Sequence, residues 1–371
     1  MKTTMFLIYA FLLVCATCFE SASSDSDTLV FLHVLFRHGN RTPDRTSLFP
    51  NDPNINETYE PFGYSQLTTK GKKTQYEIGR YLRETYGDFI PAQYTPDVVY
   101  AISTNFKRTK MSLELVLAGL FPPLESDIFT EGLNWQPIPF NVEQQEELIG
   151  IPLIYCSNFV RQYYKFMLSL EGKAILDSYQ NLYQQLSNYS GLAVTSPDEV
   201  LDVFETLESE QDYGLELPEW TSEIFPDVPE EAASRYFEFA TVTPGLRRLA
   251  IGKFLKKILD DSVAKTEGLL PEERKISLYS AHDFQVAILL NSLGLYDKRM
   301  PPYGATVIFE IHNIDGVYGL KLLYQDYSEA APKLLTIPGC TSFCEIDKFA
   351  ELIADDFPGM ADICTFTGEL M

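Results

Sequence analysis

Positive charge and histidine are both scarce in this sequence. The 371 residues include 29 Lys and Arg against 52 Asp and Glu, a formal charge of −23, and only four His. A chain this acidic repels nucleic acid and anionic membrane surfaces, so we expect neither as a partner. It also repels anionic ligands at long range. Any anion site must therefore depend on a few well-placed arginines.

Long apolar runs are missing beyond the N-terminus. Residues 5–18 are mostly apolar, follow Lys2 and precede the small residues 21–24, but the run is too short for a confident membrane span. This pattern predicts a secretory signal peptide over residues 1–22, with an N-terminal membrane anchor as the alternative. We expect a secreted protein with no membrane span in the mature chain. A lysosomal destination also fits.

Cysteine is infrequent as well. Cys15 and Cys18 lie in or beside the predicted signal peptide, and the remaining four are Cys156, Cys340, Cys344 and Cys364. In an oxidising compartment these four predict two disulfides, for which three pairings exist. A local Cys340–Cys344 bond is plausible and would leave Cys156 for Cys364. A metal site is the rival interpretation. It is disfavoured because none of the four His lies close in sequence to these Cys.

Glycosylation sequons begin at Asn56 and Asn188, where we expect sugars if the chain is secreted. Asn40 also begins a sequon. Pro43 follows it directly and the arguments below place it in a cleft, so we expect no sugar there.

Apolar strands alternate with amphipathic helices in the first and last thirds of the chain. Strands are predicted over residues 28–36, 98–102 and 276–280, with a hairpin formed by 306–311 and 317–324 around a turn at 313–316. Helices are predicted after Thr68, over 109–120, and from Pro244 onwards with Ile251, Phe254, Leu255 and Ile258 on one face. This alternation predicts an α/β fold with a largely parallel sheet.

The middle of the chain breaks this alternation. Residues 135–239 are rich in Glu, Gln, Tyr and Leu and indicate a helical cap inserted into an α/β core of residues 23–134 and 240–371. There is no Gly/Ser-rich linker or internal repeat to indicate a separate module.

Phosphate-binding chemistry is indicated directly after the first predicted strand. Arg37, His38, Gly39 and Arg41 follow one another there, where open α/β sheets bind ligands. Each Arg can hold two phosphate oxygens, and Gly39 lets a ligand approach the backbone. A neutral imidazole held against such a phosphate is a competent nucleophile. A single Arg–His pair would suggest only a polar surface loop.

Two further elements lie at predicted strand ends. His282 and Asp283 follow the strand at 276–280, and Arg108 opens the helix after the strand at 98–102. An acid in such a crevice could protonate a leaving alkoxide. The remaining histidines are interpreted as structural: His33 as a core residue of its strand, and His312 as a surface residue beside the hairpin turn.

These motifs resemble the histidine acid phosphatases, the branch-2 histidine phosphatases, and within them the insect venom, prostatic and lysosomal type. The resemblance extends from about residue 29 to 364 and includes segments 133–139, 279–283, 301–303 and 338–344. It implies a phosphoglycerate-mutase-like α/β fold: a three-layer core, a mainly parallel central sheet and an inserted helical cap. It also implies an acid phosphatase acting on small phosphate monoesters through a phosphohistidine, without metal or organic cofactor, and suggests a homodimer.

The same resemblance assigns roles to the residues. His38 matches the phosphorylated nucleophile and Asp283 the general acid. The phosphate-binding set consists of Arg37, Arg41, Arg108 and His282, and the disulfides would be Cys156–Cys364 and Cys340–Cys344.

The sequence departs from the family pattern at Asn40, where many members have Asp, and at Ile102 and Asn105, where vertebrate relatives have Arg and Asp. These changes concern substrate range, pH profile and dimer contacts. Two alternatives stay open: a phytase-like or other specialised phosphatase, and a secreted binding protein that has lost turnover. A phosphomutase would use the same chemistry, but it is disfavoured because we expect the chain to be secreted.

Overall fold

The structure is a computed structural model that describes residues 25–143, 148–360, 362 and 364. The predicted signal peptide, residues 1–22, lies outside the described residues. No helix in the described part of the chain is both long and apolar enough to cross a bilayer.

A mixed sheet of eight strands lies at the centre of the described chain. The strands are β1 (Leu29–Arg37), β2 (Val99–Ser103), β3 (Asn141–Val142), β4 (Ile276–Ala281), β5 (Thr306–Ile314), β6 (Val317–Gln325), β7 (Lys333–Leu335) and β8 (Cys344–Glu345). Their order is β3-β2-β4-β1-β5-β6-β7, and β8 pairs with β6. Strand β3 therefore lies within residues 135–239, the range predicted for the helical cap.

Strand β1 lies at the boundary between the parallel and the antiparallel part of the sheet. Strands β3, β2, β4 and β1 run parallel, and the β5–β6 hairpin, β7 and β8 add antiparallel strands. The predicted hairpin forms around Asp315 and Gly316, whose φ angles of 52° and 86° suit a two-residue turn. The predicted α/β class is confirmed.

Helices cover both faces of the sheet. They are α1 (Asp25–Thr28), α2 (Thr69–Thr85), α3 (Lys107–Leu120), α4 (Pro152–Tyr155), α5 (Ser157–Met167), α6 (Leu170–Ser178), α7 (Gln180–Ser190), α8 (Pro197–Tyr213), α9 (Thr221–Ile224), α10 (Asp227–Thr241), α11 (Pro244–Ala250), α12 (Gly252–Thr266), α13 (Asp283–Ser292) and α14 (Ile346–Ile353). Short 3-10 turns occupy Glu125–Asp127 and Ala354–Asp356.

Alternating side chains of β1 generate the three layers, because successive strand residues point to opposite faces. Leu32, Val34 and Phe36 pack with the buried residues of α2 and α3. Phe31 and Leu35 pack with α12, α13 and the helices of the middle segment. Helices α4 to α10 form that middle segment, and α8 and α10 pack against each other and, through α10, against α13. The division into core and cap domains stays a prediction.

The helix predicted from Pro244 is in fact two helices. Helix α11 ends at Ala250 and α12 begins at Gly252. A Cβ on Gly252 would overlap the carbonyl oxygen of Asp356. The glycine at the break therefore lets the backbone at Asp356 pack closely against it. Phe254 and Leu255 are buried as expected.

The surface position predicted for His312 is wrong. His312 is only 1% exposed because β5 continues to Ile314 and α1 packs against it. Its Nδ1 lies 2.9 Å from Thr28 Oγ1 and its Nε2 3.3 Å from a Glu310 carboxylate oxygen. The hairpin turn lies farther along the chain than the prediction assumed.

The core position predicted for His33 is confirmed. Its Nε2 lies 3.1 Å from Ser262 Oγ and its Nδ1 3.2 Å from the Tyr279 hydroxyl. Burial, followed by the charge of Lys257, lowers the pKa of His33 to about 3.

Disulfide and sequon positions agree with a secretory chain. Cys156–Cys364 and Cys340–Cys344 are both bonded, the pairing that the resemblance implied. The side chains of Asn56 and Asn188 are exposed, and that of Asn40 is buried. Glycosylation at Asn56 and Asn188 stays a prediction.

Helices α2 and α3 approach closely through Gly79, where a Cβ would overlap the Val116 carbonyl oxygen. We expect Gly79→Ala to lower the free energy of unfolding by about 1–3 kcal/mol, because the overlap outweighs the gain in helix propensity. Urea unfolding measures this. Glu77→Ala, on the exposed face of the same helix, should change stability little. Equal stability of the Gly79 variant and the wild type would contradict the close crossing.

Candidate active site

The three motifs singled out in the sequence converge at one edge of the sheet. Strands β1, β4 and β2 are parallel neighbours, and their final residues lie in register, with Arg37 opposite Ala281 and Ser103 opposite Ser280. The backbone continues the pairing, since His38 N donates to the Ala281 carbonyl at 3.0 Å. The loops that follow the three strands therefore meet over their carboxyl ends.

The loop after β1 is held by the first turn of α2. Thr68 caps that helix by accepting a hydrogen bond from Gly71 N at 3.1 Å, as the sequence predicted. A Cβ on Gly39 would overlap the Gly71 carbonyl, so two glycines allow the loop and helix to touch. One turn further, the Gln75 amide donates to the Arg37 carbonyl at 3.1 Å. These contacts with α2 therefore hold the backbone around His38 in place.

His38 is buried and engages one of its two ring nitrogens with the backbone. It is 2% exposed, and its Nδ1 lies 2.9 Å from the Gly39 carbonyl oxygen. Because a carbonyl only accepts, Nδ1 carries the proton and Nε2 keeps its lone pair. Burial, followed by the charge of Arg108 and neighbouring cations, holds the pKa of His38 well below its usual value. This shift favours the neutral imidazole.

Arg37 is completely buried and joins several elements. Its Nη1 donates to the Pro301 carbonyl at 2.6 Å, and its Nη2 lies 2.7 Å from Asp283 Oδ2. Its guanidinium carbon lies 4.1 Å from the centroid of the Tyr303 ring.

Arg41 and Arg108 complete a cluster of three guanidinium groups. Arg41 Nη2 donates to Glu205 Oε2 at 3.0 Å. Burial, followed by the charge of Arg41, lowers the pKa of Arg108 to about 10. The Nε atoms of all three arginines are buried and have no hydrogen-bond partner among the described residues. Buried donors without partners are costly, and an oxyanion would satisfy them.

His282 lies beside His38, with ring centroids 5.4 Å apart. Its Nδ1 is 3.4 Å from Arg108 Nη2 and its Nε2 3.0 Å from Thr104 Oγ1. Since Arg only donates, Nε2 carries the proton in this state and donates to Thr104, whose hydroxyl is 2.8 Å from that of Thr109. Burial, followed by the charge of Arg108, keeps the pKa of His282 well below its usual value.

Two glutamates that sequence reasoning missed face this cluster from the cap. Glu205 and Glu208 lie on α8 and approach Arg37 Nη2 to 3.7 and 3.6 Å. A signal was available: acidic residues recur three or four positions apart on this helix, at Asp198, Asp202, Glu205, Glu208 and Asp212. The sequence does not say which surface that stripe faces.

Asp283 and Glu205 form a pair of carboxyl groups joined by a hydrogen bond. Burial alone would raise the pKa of Asp283, but the Arg37 charge and a hydrogen bond with Glu205 hold it below its usual value. Burial, followed by the charge of Asp283, raises the pKa of Glu205 above its usual value. At acidic pH the shared proton therefore resides on Glu205 in the free protein.

Within the described ranges, no three of His, Cys, Asp and Glu are grouped so that they could hold a metal ion. The groups that converge here are suited to an oxyanion: three guanidinium groups, a neutral imidazole with a free lone pair, and a carboxyl pair sharing a proton.

Comparison with known proteins identifies the family. Residues 28–325 match the model of the histidine phosphatase superfamily (branch 2). The chain belongs to this superfamily. It is 35% identical over 335 residues to venom acid phosphatase Acph-1 of Apis mellifera, covering 90% of this chain and 86% of that protein. It is 32% identical over 337 residues to bovine (Bos taurus) prostatic acid phosphatase, covering 88% of this chain and 84% of that one.

A solved structure shares the fold. The phytase of Citrobacter braakii superposes with a TM-score of 0.65 over 89% of this chain and 98% of that chain, at 16% identity. The predicted family, fold class and enzyme class, an acid phosphatase, are confirmed. The roles predicted for the individual residues of this histidine phosphatase stay predictions.

Proposed function

We propose that this acid phosphatase hydrolyses small phosphate monoesters through a phosphohistidine on His38. The observation that carries the proposal is the His38 ring, whose Nδ1 is engaged by the Gly39 carbonyl so that Nε2 keeps its lone pair. After burial, the charges of Arg108, Arg37 and Arg41 act on the same ring and help to hold its pKa below the usual value. In the first step Nε2 bonds to phosphorus, the ester P–O bond breaks, and Asp283 gives its proton to the leaving oxygen. Water then attacks phosphorus, the N–P bond breaks, and Asp283 recovers a proton as inorganic phosphate forms.

The arginines stabilise charge on the phosphoryl oxygens. Arg37, Arg41 and Arg108 contribute buried donors that need no reorganisation during the reaction, which is the main catalytic requirement of phosphoryl transfer. His282 binds a further oxygen through Nδ1. That step moves its proton from Nε2 to Nδ1, with the hydroxyl of Thr104 reversing its hydrogen bond.

Glu205 links the reaction to acidic pH. In the free site its carboxyl group accepts from Arg41 and contacts Asp283, so it occupies the space where a phosphate oxygen would bind. A bound phosphate offsets the charge of Arg37, which makes Asp283 easier to protonate, and the proton held by Glu205 is available to it. Rising pH removes that proton and leaves a carboxylate that repels the substrate. Because the pKa of Glu205 is raised to about 8, this contribution to activity should be lost as the pH rises through about 8.

Secretion is part of the proposal. It is supported by the two disulfides, the exposed sequons and a relative named for venom. The lysosomal acid phosphatase of Rattus norvegicus, 33% identical over 348 residues, keeps a lysosomal destination open. The homodimer stays a prediction from the resemblance.

A phytase is the second candidate, since solved phytases share the fold. Phytate carries many negative charges, whereas the cap presents an acidic stripe to this site. Charge repulsion therefore favours monoesters with little other negative charge.

For His38→Ala, we expect hydrolysis of para-nitrophenyl phosphate at acidic pH to fall by roughly four to six orders of magnitude, as for other covalent nucleophiles. The assay should contain EDTA, and both proteins should show the same circular dichroism. Brief mixing with radiolabelled substrate followed by alkaline quenching should label only the wild type. Equal turnover by the folded variant would show that His38 is not the nucleophile.

For Asp283→Asn, we expect the loss to depend on the leaving group. Ethyl phosphate, whose alkoxide needs a proton, should lose about a hundredfold or more in kcat, the usual value of a general acid. Para-nitrophenyl phosphate should lose clearly less, because nitrophenolate leaves unaided. The two substrates are compared on the same enzyme preparation. An identical loss on both would assign Asp283 to binding instead.

For Glu205→Gln, we expect inorganic phosphate to inhibit about tenfold more strongly than in wild type at about pH 9, the equivalent of one pKa unit, because the competing carboxylate is gone. The pH is chosen because burial, followed by the charge of Asp283, raises the pKa of Glu205 to about 8. The inhibition constants of the two proteins should converge as the pH falls, since Glu205 is then protonated in the wild type. Glu219→Gln, an exposed change beyond α8, is the control. Parallel pH curves for variant and wild type would refute the competition.

A further inference from the structure

A cavity of about 580 Å³ opens beside the arginine cluster on the side of the cap. Tyr303 and Glu208 line it and also touch the cluster, since Glu208 Oε2 lies 3.6 Å from Arg37 Nη2 and the Tyr303 ring lies against the same guanidinium. The cavity also reaches Asn40, two residues after His38, and Asp212 on α8. A phosphate held by the arginines would therefore have this space available for its alcohol portion.

Three residues that line this cavity each carry a buried oxygen without a hydrogen-bond partner among the described residues: Tyr303 Oη, Glu208 Oε2 and Asp212 Oδ2. Tyr303 is only 7% exposed, so bulk solvent reaches it poorly. Buried oxygens of this kind are uncommon in folded proteins and costly to leave unmade. Their grouping in one cavity indicates a ligand that donates hydrogen bonds.

The charge of the cavity restricts that donor further. Two of the three oxygens belong to carboxyl groups, those of Glu208 and Asp212. Lys70 pairs with the other carboxylate oxygen of Asp212, but its side chain is 64% exposed and lies at the rim. An anionic alcohol portion would meet both carboxyl groups, whereas a cationic one would complement them.

We propose that this cavity binds the alcohol portion of the substrate and favours monoesters whose alcohol carries an ammonium group. The inference rests on the proposed phosphatase mechanism and adds a substrate class to it. Glu208 lies next to the arginine cluster, and Asp212 follows four residues later on α8, about 6 Å along the helix axis. Glu208 is therefore within reach of an ammonium on a two-carbon alcohol, and Asp212 binds an ammonium on a longer chain.

The test compares matched esters at one pH and ionic strength. O-phosphoethanolamine is paired with ethyl phosphate, and aminohexyl phosphate with hexyl phosphate, while phosphoglycolate supplies an anionic two-carbon ester. Because leaving groups differ in intrinsic reactivity, the readout is the ratio of kcat/KM within each pair, compared between wild type and variant. The variants are Glu208→Gln and Asp212→Asn, with the exposed Glu219→Gln as control.

We expect Glu208→Gln to lower the phosphoethanolamine ratio by about tenfold, and Asp212→Asn to lower the aminohexyl ratio by a similar factor, as for a lost hydrogen bond to a charged group. Glu219→Gln should leave both ratios unchanged. Ratios that are the same in wild type and variants, with good turnover of every ester, would overturn the inference and leave the phosphatase mechanism intact. So would a preference for phosphoglycolate, which would assign the selectivity to Lys70. Failure to hydrolyse any ester would remove the phosphatase mechanism and the inference together.

Discussion

The buried guanidinium of Arg37 is the interaction on which the site depends. An ion taken out of water loses several kcal/mol of solvation, and only close counter-charges and hydrogen bonds offset that loss. Arg37 obtains them from separate parts of the chain: Asp283 after β4, Pro301 before β5, and the glutamates of α8. Holding that one side chain therefore requires the sheet, the loop after α13 and the cap to be in place together.

The same constraint explains why carboxylates occur in a site for anions. Three arginines and two histidines at one sheet edge would repel one another, and burial keeps both imidazoles neutral. The remaining positive charge faces the carboxylate of Asp283 and the carboxyl groups of Glu205 and Glu208 in the free protein. In the proposed reaction, a phosphate that enters takes over their role as counter-charge, and Asp283 and Glu205 carry the proton.

Local sequence patterns predicted the site residues that follow the strands of the α/β core, but not those that α8 contributes. His38 and His282 each follow an apolar strand and Arg108 opens the helix after a third strand, so their shared edge could be inferred from the rule that parallel strands end together. Glu205 and Glu208 could not be placed in this way, because the packing of α8 and α10 on α13, and not a short motif, sets the direction of their helix. His312 was misplaced for a related reason: distant α1 buries it. The break between α11 and α12 likewise depends on the distant Asp356.

The long reach of these contacts along the chain has a consequence for biosynthesis. Arg37 bonds to Pro301 across 264 residues, Arg108 to His282 across 174, and Cys156 to Cys364 across 208. At ordinary ribosomal rates, roughly ten seconds to a minute separate the emergence of Arg37 and His38 from that of Pro301. During that interval the nascent chain carries His38 without the loop that anchors Arg37. Translation order thus delays the assembly of the site until most of the polypeptide has left the ribosome.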